Sequence, residues 1–268
     1  TSDPSPAVGL SVRRAGRGDA PPRDVPRREP RESVTARLAC LVALIAALRL
    51  PPAAGAPTVK VLVPGGFQVS TFASGLEHPT AMAWGPDQRL YVTEDTGNVV
   101  VTRSGSRKPV VVARGLRTPL GLAWLDDDLY VSERGRLSQY SLQGSSLVSR
   151  RTVLRGLPFG RHQQDNVVVG PDGRLYLGSG STCDVCRERD RRSATVLSLR
   201  PDGSDLRVVA RGLRNPFGLA FQPGTGRLYA SVNGQDEIGT EAHPEPAESV
   251  VVVRQGAFYG WPRCWPSY

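Results

Sequence analysis

Lysine is almost missing from this chain of 268 residues: Lys60 and Lys108 are the only two, so the formal charge of +9 is carried by arginine. A nucleic-acid surface would show basic residues interleaved with aromatics along one stripe, and no such stripe is present. The charge therefore reads as compositional bias, and nucleic acid is excluded as the expected partner. Methionine occurs once, as Met82, and not at the start. That predicts a chain continuing beyond both ends.

Long apolar runs are missing as well, with one exception. Leu38 to Leu48 follows Arg37 and precedes Ala54-Gly55-Ala56, a basic flank, an apolar stretch and a small-x-small site. The run is too short to span a bilayer and has the layout of a secretory signal. We expect residues 34–56 to be a signal peptide, residues 1–33 to be disordered or upstream sequence, and the mature chain to be periplasmic or secreted without a membrane span. Cysteine is sparse: beyond that segment only Cys183, Cys186 and Cys264 remain. In an oxidising compartment the first two could close a tight loop, leaving Cys264 unpaired.

Helical periodicity is missing throughout. What is present instead is a repeat. "GLEHPTAMAWGPDQRLYVTE" from Gly75, "GLRTPLGLAWLDDDLYVSE" from Gly115, "GLPFGRHQQDNVVVGPDGRLYLGS" from Gly156 and "GLRNPFGLAFQPGTGRLYAS" from Gly212 begin 40, 41 and 56 residues apart. Each unit has Gly-Leu, a short polar loop, an apolar run, a tight turn and a Leu-Tyr strand, with further strands such as "NVVVTR" and "KPVVVAR" behind them. Four short antiparallel strands recurring at a fixed period describe a propeller blade, so residues 57–268 are predicted to be an all-β partial propeller of about four blades.

In a propeller the loops entering each innermost strand open on one rim, together with the loops between the second and third strands. The position eight residues before the first turn of each unit holds Glu77, Arg117, His162 and Arg214, which should ring the mouth of the central channel. His162 is one of only three histidines and suits a general base. Arg214 and Asn215 suit an anionic ligand. On the same rim "VNGQDEIGTEAHPEPAE" offers Gly234 carbonyls and the acids Asp236, Glu237, Glu241 and Glu248, hard oxygens of the kind calcium takes, without the spacing of an EF-hand.

These stretches, with "STCDVC", "NGQD" and the closing "GAFYGWPRC", resemble the soluble glucose/sorbosone dehydrogenases that depend on pyrroloquinoline quinone (PQQ). The resemblance covers roughly residues 57 to 268. It implies a six-bladed propeller holding PQQ and calcium at the channel mouth, in which an aldose or sorbosone-type sugar is oxidised by hydride transfer to the quinone. His162 would be the base, Arg214 and Asn215 would hold the cofactor, Gly234 and Gln235 would ligate calcium through their carbonyls, and Glu248 and Tyr259 would belong to a second calcium site. Relatives commonly carry arginine where this chain has Asp165, so an anion is expected beside the cofactor carboxylates. Four blades leave two open sheet edges, and the chain by itself is expected to fold poorly and to be inactive. A metal-dependent propeller hydrolase and a non-catalytic binding propeller are the rival readings.

Overall fold

Fifteen β-strands and no helix are found among the described residues, which in this computed structural model are 62–236 and 248–264. The segments 1–33 and 34–56, and the acids Glu237 and Glu241, lie outside them. Apart from Leu62, the described residues belong to the second of two compact units, Val63–Tyr268.

The strands form four antiparallel sheets, each in sequence order. The first holds β1 (Pro79–Trp84), β2 (Leu90–Glu94), β3 (Asn98–Thr102) and β4 (Val110–Ala113); the second β5 (Gly121–Leu125), β6 (Asp128–Glu133), β7 (Arg136–Gln143) and β8 (Ser146–Arg155). The third holds β9 (Gln164–Val169), β10 (Leu175–Ser179), β11 (Thr195–Leu199) and β12 (Arg207–Arg211), and the fourth β13 (Asn215–Phe221), β14 (Leu228–Asn233) and β15 (Ser249–Val252). The first strands are successive neighbours, β1 against β5, β5 against β9 and β9 against β13. This is the blade order of a β-propeller, as the repeat predicts.

Local chemistry explains the period. Gly75, Gly115, Gly156 and Gly212 open the four units with φ of 77°, 71°, 66° and 72°, a left-handed turn that a side chain would strain. Inside the blade the Leu-Tyr tyrosines reach back to the turn aspartates, Tyr91 to Asp87 at 2.9 Å and Tyr176 to Asp172 at 3.0 Å. The same rings pack edge-on against the next blade, Tyr91 on Trp124 at 4.8 Å and Tyr176 on Phe221 at 5.1 Å between centroids. One residue type thus closes its own hairpin and glues the following sheet, worth about 1 kcal/mol per aromatic pair beyond burial.

The core lies between blades. One cluster joins Tyr91, Val99 and Val101 to Leu122, Leu129 and Val131; a second joins Leu137 and Leu157 to Leu175, Leu177 and Leu197; a third joins Val196 and Val209 to Leu219 and Leu228. The terminal sheets keep apolar side chains in solvent, with Met82 on β1 71% and Val250 on β15 74% exposed.

Candidate functional site

The lead-in to β9 and the start of β13 meet across Gly180. A Cβ built on Gly180 would stand 2.4 Å from the His162 Cβ and 2.4 Å from Asn215 Oδ1, so only glycine lets the two residues approach. His162, Arg214 and Asn215 are therefore neighbours. The other two ring positions do not join them. Glu77 and Arg117 are exposed, and Arg117 lines a separate cavity with Arg136 and Arg155. It is their main-chain amides that are used: Glu77 N–H donates to Glu94 at 2.8 Å and Arg117 N–H to Glu133 at 2.7 Å, which anchors each loop while its side chain turns outward.

His162 is half-buried, and its Nδ1 lies 2.9 Å from Ser181 Oγ and 3.2 Å from the Ser181 carbonyl. Ser181 donates its one hydroxyl proton to the Cys183 carbonyl at 2.6 Å. Both Ser181 oxygens can then only accept, so Nδ1 carries the ring proton and Nε2 keeps its lone pair. Burial, and next the Arg214 charge, hold the imidazole below its ordinary pKa, which keeps it neutral and basic.

Arg214 is 2% exposed. Its Nη2 pairs with Asp184 and, at 2.7 Å, with Asp236; its Nε donates to the Asp184 carbonyl at 3.1 Å. Nη1 has no partner among the described residues, and neither does Asn215 Oδ1, although Asn215 Nδ2 reaches Asn233 at 3.3 Å. A buried donor or acceptor left unpaired costs about 1–3 kcal/mol, so these two atoms mark a place where something polar is accommodated. Beside them a cavity of about 60 Å³ is lined by Arg214, Asn233, Gly234, Gln235, Tyr259 and Trp261.

The remaining candidate residues have partners of their own. Asp236 Oδ2 accepts from Arg161 and from Arg214, both at 2.7 Å. Glu248 accepts the Gly234 N–H at 3.0 Å. The Tyr259 hydroxyl accepts from Arg254 N–H at 2.9 Å and donates to the Val252 carbonyl, which leaves the phenol committed to backbone. Asp165 is 2% exposed with no charged partner among the described residues, and burial pushes its pKa well up and favours the neutral acid over the expected anion. Cys183, Cys186 and Glu188 have metal-like spacing, but the two sulfurs form a disulfide, as the sequence allowed. Cys264 is free and exposed.

Sequence reasoning missed Ser181 and Asp184. "STCDVC" was noticed for its cysteines, while the residues that touch the site are the serine before them and the aspartate between them.

For a quinone cofactor bearing carboxylates, the residues present fit: a buried cationic donor, an amide oxygen beside it and a neutral imidazole stand together. For calcium, Gly234 and Gln235 line the cavity, and main-chain carbonyls are hard oxygens of the kind such an ion takes.

The sequence pattern of the TrAA12-like family matches residues 61–268. The chain belongs to that family. This TrAA12-like chain is 27% identical to quinoprotein glucose dehydrogenase B of Acinetobacter calcoaceticus over 73% of its own length and 52% of the relative's. It is 24% identical to the aldose sugar dehydrogenase YliI of Escherichia coli, covering 74% of itself and 62% of that protein. Among solved structures it resembles the PQQ-bound aldose sugar dehydrogenase of Streptomyces coelicolor, at 26% identity and a TM-score of 0.62, over 73% of this chain and 66% of that one. The TrAA12-like chain spans about half the length of the first curated relatives it matches.

Proposed function

We propose that this chain carries the reaction centre of an exported, PQQ- and calcium-dependent dehydrogenase that oxidises an aldose or sorbosone-type sugar. The observation that carries the reading is the pair of unpartnered buried atoms, Arg214 Nη1 and Asn215 Oδ1, set beside a histidine whose Nε2 is free. Relatives named as quinoprotein glucose dehydrogenase and aldose sugar dehydrogenase support it, as does a neighbour solved with PQQ. Export is supported by the 34–56 segment and agrees with the Cys183–Cys186 disulfide.

When bound, PQQ supplies a quinone that accepts a hydride, and calcium makes that quinone more electrophilic. The chain does the rest. His162 Nε2 takes the proton of the sugar hydroxyl, which a neutral imidazole in a half-buried position can do at neutral pH. Arg214 Nη1 and the Asn215 side chain orient the cofactor, and the guanidinium stabilises negative charge that develops on oxygen as the proton leaves. The Gly234 and Gln235 carbonyls would hold the cation.

Dye reduction by a panel of aldoses, with and without added PQQ and calcium, tests the reading on the protein carrying all the blades that the resemblance implies. Sugar-dependent reduction that requires the cofactor and falls about 10²–10⁴-fold in His162→Gln supports it. Turnover unchanged by that substitution would exclude His162 as the base.

A further inference from the structure

We propose that Asp184 is the positioning residue for Arg214, and that the Cys183–Cys186 disulfide keeps it in place, so that the cofactor affinity of this site responds to thiol redox state. The proposal deepens the reading above and relies on it only for the identity of the ligand.

Asp184 grips the guanidinium at two edges. Its carboxylate accepts from Arg214 Nη2 and its own carbonyl from Nε at 3.1 Å, which fixes the plane of the fork and the direction of the unpartnered Nη1. The same residue is a hub for its surroundings, accepting the Asp236 N–H on Oδ1 at 3.2 Å and the Trp261 indole N–H on its carbonyl at 3.2 Å. The second acid on Arg214 is the weaker anchor, because Asp236 is 44% exposed and shared with Arg161. A buried guanidinium that loses its main carboxylate is strongly destabilised and moves.

Asp184 lies inside the disulfide loop, directly after Cys183. While the loop is closed, its backbone has few alternatives, and the Asp184 carbonyl stays under Nε. The Cys183 carbonyl in the same loop accepts the Ser181 hydroxyl that orients His162. One clip therefore holds both the cation and, through Ser181, the base. Both cysteines are partly exposed, so a small dithiol reaches them. In that exchange the disulfide takes up two electrons and two protons to give the Cys183 and Cys186 thiols, and the dithiol is oxidised to its cyclic disulfide.

Two readouts on the protein carrying all its blades test this. The first needs no cofactor: the Arg214 Nε–H, assigned by its loss in Arg214→Gln, should lose about tenfold of its hydrogen-exchange protection on dithiol treatment and in Asp184→Ala. In the second, PQQ affinity by equilibrium dialysis should fall about tenfold on reduction of the parent chain, and by reciprocity bound PQQ should oppose reduction by the same factor. Asp184→Ala should bind weakly in both redox states, so that the redox response disappears, while Val185→Ala, in the same loop, retains it. If Asp184→Ala does not fold, Asp184→Asn takes its place, with a smaller redox response than the parent chain. Unchanged Nε–H protection on reduction, or an undiminished redox response in the Asp184 variant, overturns the proposal. Failure of the oxidised parent to bind PQQ overturns the functional reading instead, and the exchange measurement then decides the redox proposal by itself.

Discussion

His162 Nδ1 stands 2.9 Å from Ser181 Oγ, whose only proton is already given to the Cys183 carbonyl. That relationship selects the tautomer of the imidazole. In Ser181→Ala the carbonyl contact at 3.2 Å remains while the hydroxyl is lost. Turnover should fall about tenfold with sugar KM little changed, and steady-state kinetics would check the split.

Arg214 lowers the pKa of His162, second only to burial. Removing the guanidinium in Arg214→Gln should move the imidazole titration to higher pH, because the larger of the two nearby cationic effects no longer opposes protonation while the attraction of Asp236 remains against that of Arg161. Following the His162 ring proton by NMR from pH 4 to 8 gives the direction without any need for activity.

Gly180 separates the base from Asn215 with no room for a methyl group. Gly180→Ala should force His162 and Asn215 apart and cost about 1–3 kcal/mol of stability. Urea unfolding measures the loss, and PQQ affinity should drop in the same variant.

Asp165 is buried and favours its neutral form. With a folded-state pKa above the unfolded value of 3.8, the unfolded chain releases its proton first, so this group's contribution to stability falls as pH rises from about 4 towards the folded value. Asp165→Asn should therefore raise Tm at pH 7, by a few degrees for about 1 kcal/mol, and the gain should shrink at pH 4. Scanning calorimetry at the two pH values is the measurement.

Glu133 is fully buried and serves four partners: Arg150 at 2.7 Å, Arg136 at 3.8 Å, the Ser138 hydroxyl at 2.5 Å and the Arg117 N–H at 2.7 Å. Truncation to alanine should destabilise the chain by about 3–5 kcal/mol, seen as a lower urea midpoint with an unchanged slope.

The blades were legible because their signals are local. A left-handed glycine, a turn aspartate bonded to a tyrosine four residues on, and alternating β-branched residues are all set by short-range sterics, and they recur in register. His162, Arg214 and Asn215 were legible for a related reason, since a repeat assigns equivalent rims to equivalent positions. Arg117 is the solvated loop charge that its position also allowed, and Glu77 turns outward as well, because equivalent backbone positions do not fix side-chain direction: in the first two blades the buried glutamates Glu94 and Glu133 capture the loop amides.

By itself, the amino-acid order determined the strands, their period and the rim on which the polar loops open, because those depend on neighbours along the chain. Only tertiary structure decided which protons and charges sit where: that Nδ1 of His162 carries its hydrogen, that Asp184 pairs with Arg214, and that Asp165 favours its neutral form. Those outcomes depend on burial and on partners distant along the chain, Ser181 being 19 residues from His162, Asp236 22 and Asp184 30 from Arg214, whose contacts no local pattern encodes.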